Sequence, residues 1–277
     1  MSEGIGIYQS DAVDIQAVMA LVVAAEWPHR AEDVEAAMTL GHTWLARDNE
    51  HERLAGIGVW WDFGTAAGRI GLVIVSADYQ GRGIGRSLVE HLLADAGPRA
   101  LMLLSTNAGQ SLYGKLGFRT IGRAQRHQGH CRRKPMADPR IRMTTRDDHE
   151  RLSQLDHMAV GARRGDILAH LFQAGHTRVL SHQGEIVGYA VERPFGLGCV
   201  VGPIVAASET DAIALFNASV RPGFVRVDRP MEAALFGQHL TNCGLAGDEV
   251  SDVMVLGEWP ALSGPAHVFA MAGHAWG

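Results

Sequence analysis

Apolar positions in the first half of the chain alternate between the spacing of a helix and that of a strand. Residues 11–25 begin with an acidic residue and carry apolar side chains along one face, which predicts an amphipathic helix, and residues 31–40 predict a second one. Two apolar segments at 43–47 and 53–61, separated by the polar turn "DNEHE", predict a β-hairpin. The chain is therefore expected to open with two helices and a hairpin.

A nearly unbroken apolar segment comes next. "RIGLVIV" at 69–75 is rich in β-branched residues and predicts a strand that is buried on both faces. A helix is predicted over 86–96, a second buried strand over 100–106, and a short helix in "GQSLYGKLGF" that Gly117 stops. The order ααβββαβα, followed by another strand, indicates a mixed α/β (α+β) fold.

The second half of the chain repeats the first. The segment "MADPR" interrupts the alternation with a proline and charges, and residues 184–208 then parallel residues 52–77. An internal duplication is the simplest account of this similarity. We therefore place a domain boundary near residue 137, which divides the chain into domains at 1–136 and 137–277.

The composition limits the classes of function. The 277 residues are 47% hydrophobic and 20% charged with a formal net charge of −5, which provides no basic surface for nucleic acid. Cys131, Cys199 and Cys243 lie far apart and indicate neither a disulfide framework nor a metal site. Because the sequence shows neither a signal segment nor an apolar stretch of about 18 residues, we expect a cytoplasmic protein that does not bind membranes.

Closely spaced glycines follow the predicted strand at 69–75. In "DYQGRGIGRSL", Gly81, Gly83 and Gly85 stand directly before a helix, where bare backbone exposes peptide N–H groups beside the positive helix end. Such a loop binds phosphate, although glycines also serve merely to turn a chain. Neither the dinucleotide pattern GxGxxG nor the P-loop pattern is met. The second copy has "ASETDAIALF" at this place, with two acids and no glycine, so we expect it not to bind phosphate.

Residues Gln80 to Gly85 resemble the [QR]xxGx[GA] loop of the GCN5-related N-acetyltransferase (GNAT) superfamily. The strand before the loop, the helix after it and "SLYGKLGF" also look like that family's core at the expected separations. The resemblance implies a tandem form with an intact N-terminal copy and a degenerate C-terminal copy, each a mixed, mostly antiparallel sheet flanked by helices. It implies acetyl-CoA as cosubstrate, held by Val73, Ile74, Val75, Gln80, Gly81, Arg82, Gly83, Ile84, Gly85, Arg86, Thr106 and Asn107.

Direct acetyl transfer to an amine needs donors for the developing oxyanion and a proton for the leaving thiolate. The resemblance assigns the proton donor to Tyr113, with the main-chain N–H of Val73 as the simplest oxyanion donor; alternatively, Tyr113 only packs between helix and sheet. Two positions depart from the family pattern. Thr106 stands where many members have an asparagine, with Asn107 one residue later, and the strand at 69–75 contains no acid to act as a general base.

Other side chains are candidates for the missing base. Asp62, His29 and His127 have the right chemistry, although each also suits a surface or structural role. The resemblance implies that the loop between the first two helices covers the acceptor, which makes Trp27 and His29 candidate acceptor contacts. Trp27 either stacks on the acceptor or joins the two helices.

The remaining candidates lie on strands. Trp60 and Trp61 alternate across a strand, so only one of them can face the cleft, and we take Trp60, together with Asp62, as a candidate acceptor contact. In the second half, three polar residues stand in apolar surroundings and either line a cleft between the halves or pair as structure. These residues are Asp156, Arg193 and Asp228.

The sequence therefore predicts an acetyl-CoA-dependent N-acetyltransferase for a small-molecule amine such as an amino acid, an amino sugar or an amine toxin. We expect a monomer or homodimer with neither a metal nor a nucleic-acid partner. Two alternatives stay open: a non-catalytic module that binds or senses acyl-CoA, and an acetyltransferase that modifies proteins.

Overall fold

The computed structural model describes residues 4–10 and 15–277, and helices alternate with strands along both halves. The predicted fold class is confirmed as a mixed sheet flanked by helices. The first half contains strands β1 (Ile5–Gln9), β2 (His42–Asp48), β3 (Arg53–Asp62), β4 (Ala67–Val75), β5 (Ala100–Ser105) and β6 (Arg119–Cys131), and helices α1 (Ile15–Ala24), α2 (Ala31–Thr39), α3 (Ile84–Ala96) and α4 (Gln110–Lys115). The second half contains strands β7 (Ile141–Met143), β8 (His176–His182), β9 (Glu185–Phe195), β10 (Gly198–Ala206), β11 (Gly223–Pro230), β12 (Ala246–Leu256) and β13 (His267–Ala270), and helices α5 (His149–Val160), α6 (Gly165–Ala174), α7 (Glu209–Ser219) and α8 (Ala234–Asn242).

Two elements differ from the predictions for local reasons. β1 was not predicted, because its five residues show little alternation and form a strand only by pairing with β2 at the edge of the sheet. α3 begins at Ile84, two residues earlier than predicted, because Gly83 in the left-handed conformation ends the loop there. The predicted start of the first helix, at residues 11–14, lies outside the described residues.

Helices cover both faces of the first-half strands, because adjacent side chains of a strand point to opposite faces. α1 and α2 pack on one face, whose core includes Val18, Val34 and Trp61. α3 packs on the other face, whose core includes Leu92 and Trp60. Burial of each such side chain contributes roughly 1.5–3 kcal/mol to stability. The sheet is therefore held from both sides next to the glycine loop.

Strands of the two halves exchange places at the centre of the sheet. The strand order is β1-β2-β3-β4-β5-β12-β6-β11-β10-β9-β8-β7, and β13 pairs with β10 off this path. β12 pairs antiparallel with both β5 and β6, and β6 pairs antiparallel with β11. Each half thus places one of its strands beside the other half, and one sheet connects them.

The predicted boundary near residue 137 falls in a segment, 132–138, that forms neither helix nor strand. That residue 137 separates the two repeats of the duplication stays a prediction. A fragment that starts after it lacks β6, which lies between β11 and β12. We therefore do not expect the second half to fold alone.

The described helices are all short. The longest, α3, has 13 residues. Across residues 4–10 and 15–277, no helix combines the length and the apolar character that crossing a membrane requires.

Candidate active site

The glycine loop lies between β4 and α3 and leaves main-chain groups open. Gly81 and Gly83 have φ of +76° and +80°, in the left-handed region that favours glycine. A Cβ built on either residue would meet no protein atom within 4 Å, so the adjoining space is open to a ligand. The first N–H groups of α3 have no acceptor inside the helix, and Ile84 anchors that turn in the core. The loop has the geometry of an anion site at a helix N-terminus.

Side chains of the loop brace it rather than fill it. Nε2 of Gln80 donates to the carbonyl oxygen of Val75 at 3.2 Å. Nη2 of Arg82 donates to the carbonyl oxygen of Asp78 at 3.0 Å. Arg86 forms an ion pair of 2.8 Å with a glutamate one turn along α3. The positive side chains therefore remain at the rim of the loop, while the main chain forms its floor.

β4 and β5 separate after a short parallel pairing. Their register covers only residues 67–69 of β4 and 100–102 of β5, although both strands continue. Leu72 has a φ of +50°, and the register between β3 and β4 shifts at the same place, which marks a β-bulge that bends β4. Beyond the bulge, the side of β4 from Val73 to Val75 that faces β5 has no partner strand among the described residues. A V-shaped cleft opens there.

The cleft leads into a cavity of about 310 Å³ whose wall comes from both halves. The first half contributes the loop between α1 and α2, the bent part of β4, and α4. The second half contributes residues of β11 and β12 and of the segment that follows β13, namely Arg226, Glu249, His274 and Ala275. The sequence analysis did not single out any of these four residues.

Tyr113 lies in the wall of this cavity, on α4. Its side chain is 8% exposed, and its ring packs edge to face on Phe118 with the centroids 5.8 Å apart. Burial raises the pKa of Tyr113 to about 12, so the phenol keeps its proton at physiological pH. Within the described ranges its hydroxyl has no hydrogen-bond partner, which leaves it available to a ligand.

Three other predicted site residues also line the cavity. Trp27 and His29 reach it from the loop between α1 and α2, with their ring centroids 5.7 Å apart. Thr106 lines it from the end of β5, and its hydroxyl accepts from the N–H of Gly109 at 3.3 Å. Asn107 is exposed and lies outside the wall. Between the two neighbours, Thr106 is therefore the one placed at the cavity.

Trp60, Asp62 and His127 lie elsewhere. Nε1 of Trp60 donates to Asp95 of α3 at 2.8 Å, and Trp60 is not part of the cavity wall. Asp62 is exposed and pairs with Arg99 at 3.4 Å. His127 is buried, and its Nδ1 lies 3.1 Å from a main-chain carbonyl oxygen. None of these three side chains belongs to the cavity wall, so the structure does not bring them together with Tyr113.

Two neutral imidazoles border the cavity, those of His29 and His274. Burial, assisted by the charge of Arg226, lowers the pKa of each to about 4. Nε2 of His274 lies 3.2 Å from Oγ of Ser251, whereas Nδ1 of His29 is buried without a hydrogen-bond partner. Imidazoles of such low basicity are poor proton acceptors near neutral pH.

His274 is held at the cavity by the segment 271–277, which three buried arginines bind through its main-chain carbonyl oxygens. One of these arginines belongs to β4 of the first half, so the segment links the two halves. The contacts are Arg193 to Ala272 at 2.8 Å, Arg69 to Ala275 at 3.0 Å and Arg164 to Trp276 at 2.9 Å.

The three polar residues singled out in the second half all have buried partners. Asp156 pairs with Arg164 at 2.7 Å, Arg193 binds the segment 271–277, and Asp228 pairs with Arg226 at 3.0 Å. The structure therefore favours a structural role for these three residues over a cleft that all three line. Of these partners, only Arg226 borders the cavity. The sequence could have indicated it, because Arg226 and Asp228 are two charged residues spaced by two in the otherwise apolar strand "VRVDRP".

The corresponding cleft of the second half is filled by the chain itself. β10 and β11 also separate early, with parallel register only between residues 199–200 and 225–226. β13 enters the gap and pairs antiparallel with residues 204–206 of β10. The N–H of Met271 then donates to the carbonyl oxygen of Asp228 on β11 at 2.7 Å. A protein strand thus occupies the cleft that is open in the first half.

The loop of the second half is closed by side chains. Oγ of Ser208 accepts from the N–H of Asp211 at 3.1 Å and caps α7. The carboxylate of Glu209 accepts from the N–H of Phe236 at 2.7 Å. Phe236 corresponds to Tyr113, because the "LFG" around it matches the "LYG" around the tyrosine and the two residues lie on α8 and α4, the helices that follow β11 and β5. The second half therefore lacks the open N–H groups, the cleft and the hydroxyl.

Comparisons with known proteins agree with this architecture. Two family models, both described as an acetyltransferase (GNAT) domain, match residues 39–120 and 152–270. The uncharacterized N-acetyltransferase YitH of Bacillus subtilis (strain 168) is 26% identical over 215 residues, which cover 75% of this chain and 76% of that protein.

One solved structure resembles the whole chain and another resembles most of it. A Pyrococcus horikoshii protein assigned as an acetyltransferase aligns over 100% of this chain and 97% of its own, with a TM-score of 0.80 at 19% identity. A tandem GNAT protein from the clavulanic acid biosynthesis pathway aligns over 91% of this chain and 98% of its own, with a TM-score of 0.66 at 14% identity. These likenesses show the fold, and the family models on both halves show the family. The chain belongs to the GCN5-related N-acetyltransferase superfamily and is a tandem acetyltransferase of that superfamily.

Proposed function

We propose that the first half transfers an acetyl group from acetyl-CoA to the amine of a small molecule. The observation that carries this proposal is the connection between three features of the first half. The open N–H groups of the glycine loop adjoin the unpaired edge of β4, and that edge leads into the cavity where Tyr113 lies.

The residues present fit acetyl-CoA. The N–H groups from Gly81 to Arg86 suit its pyrophosphate, because they stand at a helix N-terminus beside open space. The main chain from Val73 to Val75 suits the amide groups of the pantetheine arm, since that edge lacks a partner strand. Thr106 stands at the end of β5, on the opposite side of the cleft.

When bound, acetyl-CoA supplies a thioester carbonyl that a neutral amine attacks directly. Tyr113, a phenol whose pKa of about 12 keeps it protonated, would donate its proton to the leaving sulfur, and the proton that the attacking nitrogen loses would restore the phenol. The N–H of Val73, which lies beyond the bulge, would donate to the carbonyl oxygen as negative charge develops on it. The protein therefore orients the reactants and supplies a proton and hydrogen bonds, but no nucleophile.

A small acceptor is favoured over a protein. The cavity of about 310 Å³ has walls from both halves, and the segment 271–277 closes one side of it. A space of this size is at the lower end of small-molecule sites and has to hold the acetyl end of the cosubstrate as well.

Release of free thiol from acetyl-CoA tests the proposal. With a panel of small amines, we expect thiol release that depends on both the protein and an amine, and an acetylated product with a mass increase of one acetyl group. Binding of acetyl-CoA without turnover of any amine would favour the sensing module instead. Turnover restricted to peptides or proteins would favour the protein-modifying alternative.

A further inference from the structure

Arg226 on β11 presents a buried guanidinium to the cavity that the proposed acetyl transfer does not use. Its residue is only 5% exposed. Nε and Nη2 donate to the carboxylate of Asp228 at 3.0 Å, two residues along the same face of the strand. Nη1 has no hydrogen-bond partner anywhere in the described residues, so its two N–H groups remain available at the cavity wall.

The guanidinium is held in a fixed orientation. Asp228 binds it through two nitrogens, and its central carbon lies 5.4 Å from the ring centroid of Phe195. Nη1 is accessible at the cavity surface, where an anionic oxygen would form strong, charge-assisted hydrogen bonds with it. The charge of Arg226 also contributes to the low pKa of His29 and of His274, as expected where the potential is positive.

The other charged side chains of the cavity wall are one arginine, Arg126, and two glutamates, Glu26 and Glu249. Arg126 is paired with two carboxylates, because Nε and Nη2 bind Asp248 and Nη1 binds Glu249 at 2.7 Å. Two carboxylates thus already offset its charge, whereas Arg226 pairs with one. The carboxylates of Glu26 and Glu249 also border the cavity and suit a cationic or hydrogen-bond-donating amine. An anion therefore has its best site at Arg226, and the two glutamates offer acceptor oxygens to an amine.

We propose that the acceptor amine carries an anionic group, a carboxylate or a phosphate, which Nη1 of Arg226 binds inside the cavity. This inference rests on the proposed acetyl transfer and names its acceptor class, a small zwitterionic amine such as an amino acid or an aminoalkyl phosphate. The second half then selects the acceptor, while the first half binds acetyl-CoA.

A binding experiment without chemistry tests this class. In the presence of free coenzyme A no acetyl group is available, so saturation-transfer NMR measures acceptor binding alone. The probes are matched pairs that differ only in the anionic group: amino acids with their decarboxylated amines, and 2-aminoethyl phosphate with ethanolamine. We expect at least one anionic member to bind about tenfold or more tightly than its neutral partner, as one charge-assisted hydrogen-bonded contact implies.

Arg226→Lys keeps a positive charge beside Asp228 but removes the guanidinium fork. We expect this variant to lose most of the preference for the anionic member while neutral amines bind as before. Arg142→Lys is the matched control, because Arg142 also binds an aspartate through two nitrogens, at 2.7 and 2.8 Å, but is not part of the cavity wall. The control should keep the preference.

Each outcome decides the inference. Equal binding within every pair, no binding of any anionic member, or an unchanged preference in a folded Arg226→Lys variant would overturn it. If Arg226→Lys does not fold, the preference of the unsubstituted protein still decides. Thiol release from acetyl-CoA is scored separately, so a preference for anionic members without any turnover would refute the acetyl transfer and leave the anion site standing.

Discussion

The two halves share one fold but treat the same cleft in opposite ways. In the first half, β4 and β5 separate around an open space, and the glycine loop exposes N–H groups beside it. In the second half, β10 and β11 separate in the same manner, but β13 fills the gap and Ser208 caps the helix that follows. The same fold thus holds an open cleft in one half and a cleft filled by its own strand in the other.

Phe236 and Tyr113 stand at corresponding positions of the two halves but differ in their surroundings. Phe236 is fully buried, with its ring centroid 6.1 Å from that of Phe216 and 6.4 Å from that of Phe269 on β13. Tyr113 instead borders the cavity. The same position therefore serves packing in one half and is available to chemistry in the other.

The largest expected effect is on stability in the second half. Phe236→Ala should lower the free energy of unfolding by about 3–5 kcal/mol, because it leaves a hole under β13. Denaturant unfolding measures this loss. Acetyl-CoA affinity of the folded variant should stay close to that of the unsubstituted protein. A loss below about 1 kcal/mol would mean that the filled cleft is not a packed core.

The corresponding change in the first half should affect turnover. Tyr113→Phe gives this half the ring of the second half, and we expect turnover to fall by about 10²-fold with little change in acetyl-CoA affinity. Steady-state kinetics together with calorimetry separates the two quantities. Tyr8→Phe is the control, since Tyr8 is 49% exposed on β1 and hydrogen-bonds Asn49. Full turnover in Tyr113→Phe would show that the tyrosine only packs.

The loop should decide cofactor affinity. Gly83→Val should weaken acetyl-CoA binding by roughly tenfold or more, because a side chain changes the left-handed backbone and enters the open space. Gly184→Val is a matched control: Gly184 has a φ of +89° and equally open surroundings, but lies in the turn between β8 and β9. Both variants should lose similar stability. Equal acetyl-CoA affinity in the two variants would mean that the glycine loop only turns the chain and does not bind the cofactor.

The smallest expected effect is on the pH profile. Because the pKa of Tyr113 is about 12, turnover should not decline near pH 10, where an ordinary phenol loses its proton. Because the pKa values of His29 and His274 are about 4, no rise should centre near 6.5. The rate should instead rise with the fraction of neutral amine. A bell-shaped profile with limbs near 6.5 and 10 would contradict these roles.

Local patterns in the sequence predicted the local parts of this molecule. The period of apolar residues gave the hairpin of β2 and β3, and glycine spacing gave the loop at Gly83, because both depend on neighbours in the chain. The exchange of β6 and β12 depends on pairing between strands that are distant in the chain. An apolar segment predicts a strand, but it does not indicate which strand will be its neighbour. Arg226 and His274 were missed for the same reason, since distant segments bring them to the cavity.

Calorimetric titration of the full chain with acetyl-CoA tests the central comparison most directly. The open first cleft and the filled second cleft predict one binding site per chain, and Gly83→Val should weaken all of the observed binding. The whole chain has to be used, because a cut near residue 137 removes β6 from between β11 and β12. Two sites per chain, or a full-affinity site that survives Gly83→Val, would contradict the account of the second half as a cleft closed by its own strand.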